Sequence, residues 1–167
     1  AAMAITVTHI SAATASLSWA LWERVKFGKS SLVGIVTGTI AGLASITPAS
    51  GFVGPWAALL IGAVAGVLWQ EAGVLIRNKV KIDDTLDVFA VHGVGGIFGT
   101  LMIAALGAGS WAAQVGSLLI VGVYTCVVTV ALVFICKAIT PLRVSKDVET
   151  GGLDLAVHGE RAYELNS

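Results

Sequence analysis

The sequence predicts an all-α polytopic membrane protein: a bundle of five transmembrane helices followed by a polar tail. Three observations carry that reading. Of the 167 residues, 56% are hydrophobic and 12% charged, with a mean hydropathy of +0.90. A soluble domain carries about 25% charged residues, so the main solvent is lipid. The apolar residues fall into five long stretches, each near the ~20 residues a helix needs to cross a ~30 Å hydrocarbon layer. All ten Lys and Arg residues lie on the same side of those stretches.

Taken in order, the predicted spans are about 1–22, 31–49, 53–76, 86–106 and 111–139, with a tail over 140–167. None shows the period-two alternation over ~10 residues that a membrane strand requires. The connections alternate in character. The first holds Glu23, Arg24, Lys26 and Lys29; the second, Thr47 to Phe52, is uncharged. The third holds Arg77, Lys79, Lys81, Asp83 and Asp84; the fourth, Gly107 to Ser110, is again uncharged. Lys137, Arg143, Lys146 and Arg161 close the pattern. The positive-inside rule then puts the N-terminus outside and the C-terminus in the cytoplasm of a multi-pass protein of the cell's inner (plasma) membrane. The start, Ala1-Ala2-Met3, lacks a basic region and a cleavage site, so it does not read as a signal peptide. It reads as a longer protein cut just before a span.

Small residues recur four apart, at Gly34/Gly38, Gly38/Gly42 and Gly62/Gly66. That spacing lines one helix face with small groups and lets backbones approach closely. Trp69 and Trp111 lie near span ends, where they serve as interfacial anchors or as core aromatics. Glu71 is either an interfacial acid or a partner of Arg77 or Lys79. Cys126 and Cys136 are ten residues apart in one stretch, about 15 Å along a helix, beyond disulfide reach. They are expected to be small buried apolar residues.

The formal net charge is zero, which suggests neither nucleic acid nor an acidic substrate as partner. No nucleophile arrangement, metal cluster or phosphate loop appears, so no enzyme activity, cofactor or metal is expected.

The site candidates centre on the fourth span. An ionisable ring inside a membrane span is expensive and is a functional-site hypothesis by default. His92 is such a ring, and Val88, His92 and Gly96 share one face at a spacing of four. A neutral imidazole can accept a proton and pass one on; a histidine bonded to a neighbouring helix for packing alone fits the same spacing. Asp84 or Asp87 can cap the helix start, where a carboxylate also suits the helix dipole. His9, in a span with Ser11, Thr14 and Ser16, is expected to bond across helices. His158 lies in the polar tail.

The run Asp83-Asp84-Thr85-Leu86-Asp87-Val88-Phe89-Ala90-Val91-His92-Gly93-Val94-Gly95-Gly96 closely resembles a signature of the ammonium transporter/methylammonium permease/Rhesus family. The run from Ala41 to Gly51 resembles its eighth span and following turn. The tail from Gly152 to Tyr163 is similar to the cytoplasmic regulatory tail of the bacterial and plant branch. The match is to the last five of the family's eleven spans, the second inverted-repeat half of that transporter fold.

The resemblance implies a trimer in which each complete subunit holds a narrow hydrophobic pore between two inverted halves. It implies that His92 is the second of twin pore histidines, that Val88 is a pore-lining position, and that Asp84 and Asp87 are the acids at the cytoplasmic start of that span. Ammonium would be deprotonated and its neutral amine conducted along the histidines, so that no bare cation crosses a hydrocarbon-like pore. The first half of the fold is expected from another chain or another part of the same chain. Lys26, Lys29, Arg77, Lys79 and Lys81 offer a docking surface for a P-II signalling protein, or act as topology determinants alone. Asp154, His158 and Gly159 of the tail would take part in regulatory contacts between subunits. Val7-Thr8-His9 departs from the Asn-Thr carried by many relatives, so no function is carried over to His9. A non-transporting ammonium sensor or regulatory module, and a structural remnant of a split transporter, are the competing readings.

Overall fold

The computed structural model describes residues 1–81, 84 and 86–161, and these form helices and turns with no strand among them. They divide into two units, Ala1–Ile120 and Val121–Ser167. In the first unit lie helices α1 (Ala2–Phe27), α2 (Leu32–Ile46), α3 (Pro55–Leu75) and α4 (Val94–Ala105). A π-helical turn, Ile76–Val80, prolongs α3, and a second, Phe89–Gly93, precedes α4. Helix α5 (Trp111–Ile139) begins in the first unit and runs into the second, which also holds α6 (Lys146–Gly151) and a π turn, Asp154–His158.

Local chemistry sets the helix ends. Gly28, at φ +77, ends α1 in the left-handed conformation that glycine adopts without steric cost, and its N–H returns to the Arg24 carbonyl. Thus α1 runs past Trp22 through the charged residues as far as Phe27. Ser31 caps α2 by accepting the Gly34 N–H at 2.9 Å. The Glu23 carboxylate fixes that cap by accepting the Ser31 N–H at 2.7 Å and its hydroxyl at 3.1 Å. Pro55 opens α3 at a position whose N–H would have no helical partner.

Helix α1 lies between α2 and α3, and the small-residue faces of both meet it. A Cβ at Gly42 would come within 2.7 Å of the Ala15 Cβ and 2.8 Å of the Ala12 Cα. A Cβ at Gly38 would come within 2.7 Å of the Trp19 Cβ. Gly62 and Gly66 of α3 face Ser11 and Ala15 from the other side, again with no room for a Cβ. The approach lets the Ser11 hydroxyl donate to the Gly42 carbonyl at 2.9 Å.

Two apolar clusters fill the space around this seam. Val7, Ile46, Ala58, Ile61 and Ile103 belong to one; Ala15, Trp19, Ala41, Ala65, Trp69 and Val91 form the other. Trp69 is a core aromatic, not an interfacial anchor: it is 2% exposed, donates to Ser45 Oγ at 2.7 Å, and meets Phe98 edge-on with centroids 5.6 Å apart. Trp111 is exposed.

Two helical segments are long and apolar enough to cross a membrane outright among the described residues: Pro55–Val80 and Trp111–Ile139, at mean hydropathies of 1.8 and 2.8. Leu32–Ile46 and Phe89–Ala105 are apolar and shorter. No residue of α5 is buried. Cys126 and Cys136 are therefore exposed, which corrects the expectation of burial; an all-round apolar helix shows nothing in its sequence to tell a core from a lipid environment.

The start of the fourth apolar segment is set by Asp84. Its carboxylate accepts the N–H groups of Val88 at 2.8 Å, Phe89 at 3.0 Å and Ala90 at 3.2 Å. These are donors that a helix start leaves without intrahelical partners, and the negative charge sits at the positive end of the helix dipole.

Two predictions follow from the packing and the cap. Gly42→Leu should force α1 from α2 and cost about 1–3 kcal/mol, the usual penalty of overpacking; a thermal unfolding scan in detergent that matched the parent would contradict it. Asp84→Ala should cost about 1–2 kcal/mol, the usual worth of a helix cap, by leaving the N–H groups of Val88, Phe89 and the buried Ala90 without their acceptor. Its signature is faster amide hydrogen exchange confined to residues 88–90.

Candidate conduction site

The fourth segment presents two unlike faces. Val91, Gly95, Gly99 and Ile103 point inward. Gly95 packs over Ala44 and Ser45 of α2, where an added Cβ would lie 3.5 Å and 3.4 Å from their side chains. Val88 and Phe89 are 54% and 55% exposed, and His92 is exposed with them. The packing that buries the glycine face of α4 thus leaves the Val88–His92 stripe uncovered by the described residues.

The stripe does not run on a plain α-helix. Val94 N–H reaches back five residues to the Phe89 carbonyl, so His92 sits inside a widened π turn. Turns of that kind are frequent at functional sites. At its foot Asp87 accepts from the Arg77 guanidinium, tying the start of this segment to the end of the third. Asp87 itself has φ +53, a left-handed conformation unusual for a residue other than glycine. Of the two acids, Asp84 caps the helix and Asp87 takes the ion pair. Asp83 and Thr85 of the same motif lie outside the described residues, as do Ala162 and Tyr163 of the tail motif.

A cavity of about 380 Å³ opens at the end of the bundle that carries the basic connections. Trp19, Glu23, Gln70, Arg77 and Asp87 line it. Trp19 Nε1 and Gln70 Oε1 are buried without a hydrogen bond among the described residues.

Glu71 pairs with neither Arg77 nor Lys79. Its Oε1 accepts from Lys26 Nζ at 2.6 Å and Trp22 Nε1 at 2.7 Å, joining α3 to α1. The interhelical seam brings those residues together across 45 and 49 positions of sequence, so local spacing carried no sign of it. Lys29, Lys79 and Lys81 are exposed on the same end, and Lys81 has φ +58. His9 is exposed beside an apolar groove of about 500 Å³ with Thr8, Thr39 and Leu43. It makes no hydrogen bond among the described residues, contrary to the cross-helix bond expected of it; within the same span Ser11 and Ser16 make the bonds from α1 to α2 instead. In the second unit Asp154 and His158 begin and end a π turn, and Gly159 stops it at φ +71.

Comparison with known proteins gives a consistent result. The pattern of the Ammonium Transporter Family matches residues 1–163. A putative ammonium transporter of Methanothermobacter thermautotrophicus is 40% identical over 99% of this chain and 45% of its own length. The ammonium transporter Amt1 of Archaeoglobus fulgidus is 41% identical over 96% of this chain and 44% of its own. Among solved structures, one described as a sensor Amt protein superposes with a TM-score of 0.78 at 32% identity, covering 93% of this chain and 42% of that one. The crystal structure of Saccharomyces cerevisiae Mep2 superposes at 0.70 and 32% identity, covering 83% and 38%. The chain spans less than half the length of these relatives. It is a helical membrane protein with the Amt-type fold and belongs to the Ammonium Transporter Family.

Proposed function

We propose that this chain forms one wall of an ammonium-conducting pore, with the complementary first half of the fold supplied by the rest of the same polypeptide or by a second chain, and three complete units making a trimer. In this reading the chain crosses the inner membrane five times, over about 1–22, 31–49, 53–76, 86–106 and 111–139. Its N-terminus is outside and its polar tail in the cytoplasm. The observation that carries the proposal is the outward Val88–His92 stripe on a segment whose other face is closed by Gly95 and Gly99. A histidine turned to hydrocarbon alone would be costly and without purpose; turned to a second half, it lines a path.

The chemistry follows from the ring and its surroundings. Ammonium brought to the pore gives up its proton, and the neutral amine passes the apolar stripe without the penalty of a desolvated charge. A neutral His92 offers one nitrogen as donor and one as acceptor to the passing amine. Paired with a second histidine from the other half, it would share a proton and titrate as a pair. Asp84 fixes where the helix starts and so where the ring stands. Lys26, Lys29, Arg77, Lys79 and Lys81 form a basic end suited to a P-II signalling protein. Asp154, His158 and Gly159 belong to a tail that couples neighbouring subunits. The name of the sensor Amt relative favours a second reading, ammonium sensing without net transport; binding without flux would distinguish it.

His92→Ala in liposomes holding the intact transporter is expected to lower maximal ammonium flux by ~10²-fold, the order for losing a positioned proton-transfer group. His92→Asp should alter selectivity and proton-linked current, since a carboxylate there holds a cation. Parent-like flux, selectivity and current in both variants would refute the role of His92.

A further inference from the structure

We propose that Arg77 and Asp87 form a clamp that keeps the turn Phe89–Gly93 in its π form and so holds the Val88–His92 stripe turned away from the packed face of Gly95 and Gly99. They act as positioning residues, and the inference rests on the conduction role given to His92 above.

Asp87 is held at both ends. Its side chain accepts from Arg77, which stands on the π turn Ile76–Val80 that ends the third apolar segment. Its carbonyl accepts the Val91 N–H at 2.8 Å and so begins the first turn of the fourth. Between these anchors the backbone sits at φ +53. An aspartate visits that conformation more readily than most residues, and the two anchors hold it there. The neighbouring helix leaves space for the arrangement: a Cβ at Gly73 would lie 2.9 Å from Asp87 Oδ1.

The clamp matters because of what lies just above it. The Asp84 cap fixes the N–H groups of Val88, Phe89 and Ala90, and the packing of Gly95 and Gly99 fixes α4. The turn between them holds one residue more than an α-helix would, as the bond from Val94 to Phe89 records. One surplus residue offsets the helix by about 100°. Val88 lies seven residues before Gly95, a spacing that a plain α-helix puts on one face, so closing the turn to the α form swings the Val88–His92 stripe toward the packed face of Gly95 and Gly99. Releasing Asp87 from Arg77 removes the restraint that opposes this change. Stability alone does not account for the pair: Arg77 is 43% and Asp87 20% exposed, and partly solvated ion pairs add little to folding.

The test uses the intact transporter in liposomes, with methylammonium as the transported probe. Asp87→Asn keeps a residue that tolerates the left-handed conformation while removing the charge; Arg77→Gln removes the other partner, and Arg77→Lys retains a cation. The clamp predicts that Asp87→Asn and Arg77→Gln each lower maximal flux about tenfold or more, the scale of a small misplacement of a working group. KM should change by less than about twofold. It predicts that Arg77→Lys recovers most of the flux, and that a structure of Asp87→Asn shows residues 89–93 with four-residue helical bonds. Parent-like flux in both charge-removing variants, or an unchanged π turn in the Asp87→Asn structure, would overturn the clamp. If Asp87→Asn does not assemble, Arg77→Gln gives the same reading. His92→Ala measured alongside separates the two claims. Lost flux in His92→Ala beside parent-like flux in the clamp variants refutes the clamp alone; parent-like flux in His92→Ala refutes the conduction role and the clamp with it.

Discussion

The close approach of α1 to α2 and α3 is the constraint on which the rest of the first unit depends. Lipid offers no hydrophobic drive to bring helices together, so contact must come from fitted surfaces and satisfied polar groups. Gly38, Gly42, Gly62 and Gly66 remove the side chains that would hold the axes apart, and Ser11 uses the space gained to reach the Gly42 carbonyl. Ordering around that seam places Trp69 against Ser45 and Phe98, and α4 against α2 through Gly95 and Gly99. With its small-residue face committed, the segment has Val88 and His92 left to present outward. Packing chosen for close contact thereby settles which face of the segment is available for function.

Electrostatics works at one end of this bundle. Asp84, Asp87, Arg77, Glu71, Lys26 and Glu23 each bind across an element boundary or close a helix start. In the proposed orientation this is the cytoplasmic end, where water screens the charges and lowers their individual worth. Their value lies in geometry. Glu71 joins α3 to α1, Glu23 secures the Ser31 cap of α2, and Asp84 decides the residue at which the histidine-bearing helix begins.

Much of this was legible in the sequence because it is written in local patterns. The glycine spacing announced close helix contact, and the structure packs those glycines of α2 and α3 against α1. The acids before Val88 announced a capped helix start. What escaped was non-local. The partners of Glu71 lie 45 and 49 residues away, and no helical spacing within one segment reveals Lys26 or Trp22. The π turn at His92 escaped because its signal is a competition between a fixed cap and a fixed packing face, not a residue type. Trp69 near a span end read equally well as an anchor or as core, and its partner, Ser45, sits on another helix. Cys126 and Cys136 misled because a helix apolar on every side carries no mark of which side meets protein.

The central claim is that the stripe bearing His92 borders a conducting path and not lipid. It is tested most directly by placing a cysteine at Val88 in the intact transporter, with Cys126 and Cys136 replaced by alanine, and following inhibition by silver ions supplied from the cytoplasmic side, which reach a pore mouth from water without crossing the apolar conduit and do not partition into hydrocarbon. The account predicts rapid loss of ammonium flux on silver addition, slowed when ammonium is present in excess. Flux unaffected by silver, with the cysteine labelled only by a lipid-soluble maleimide, would put Val88 against the bilayer and contradict the account.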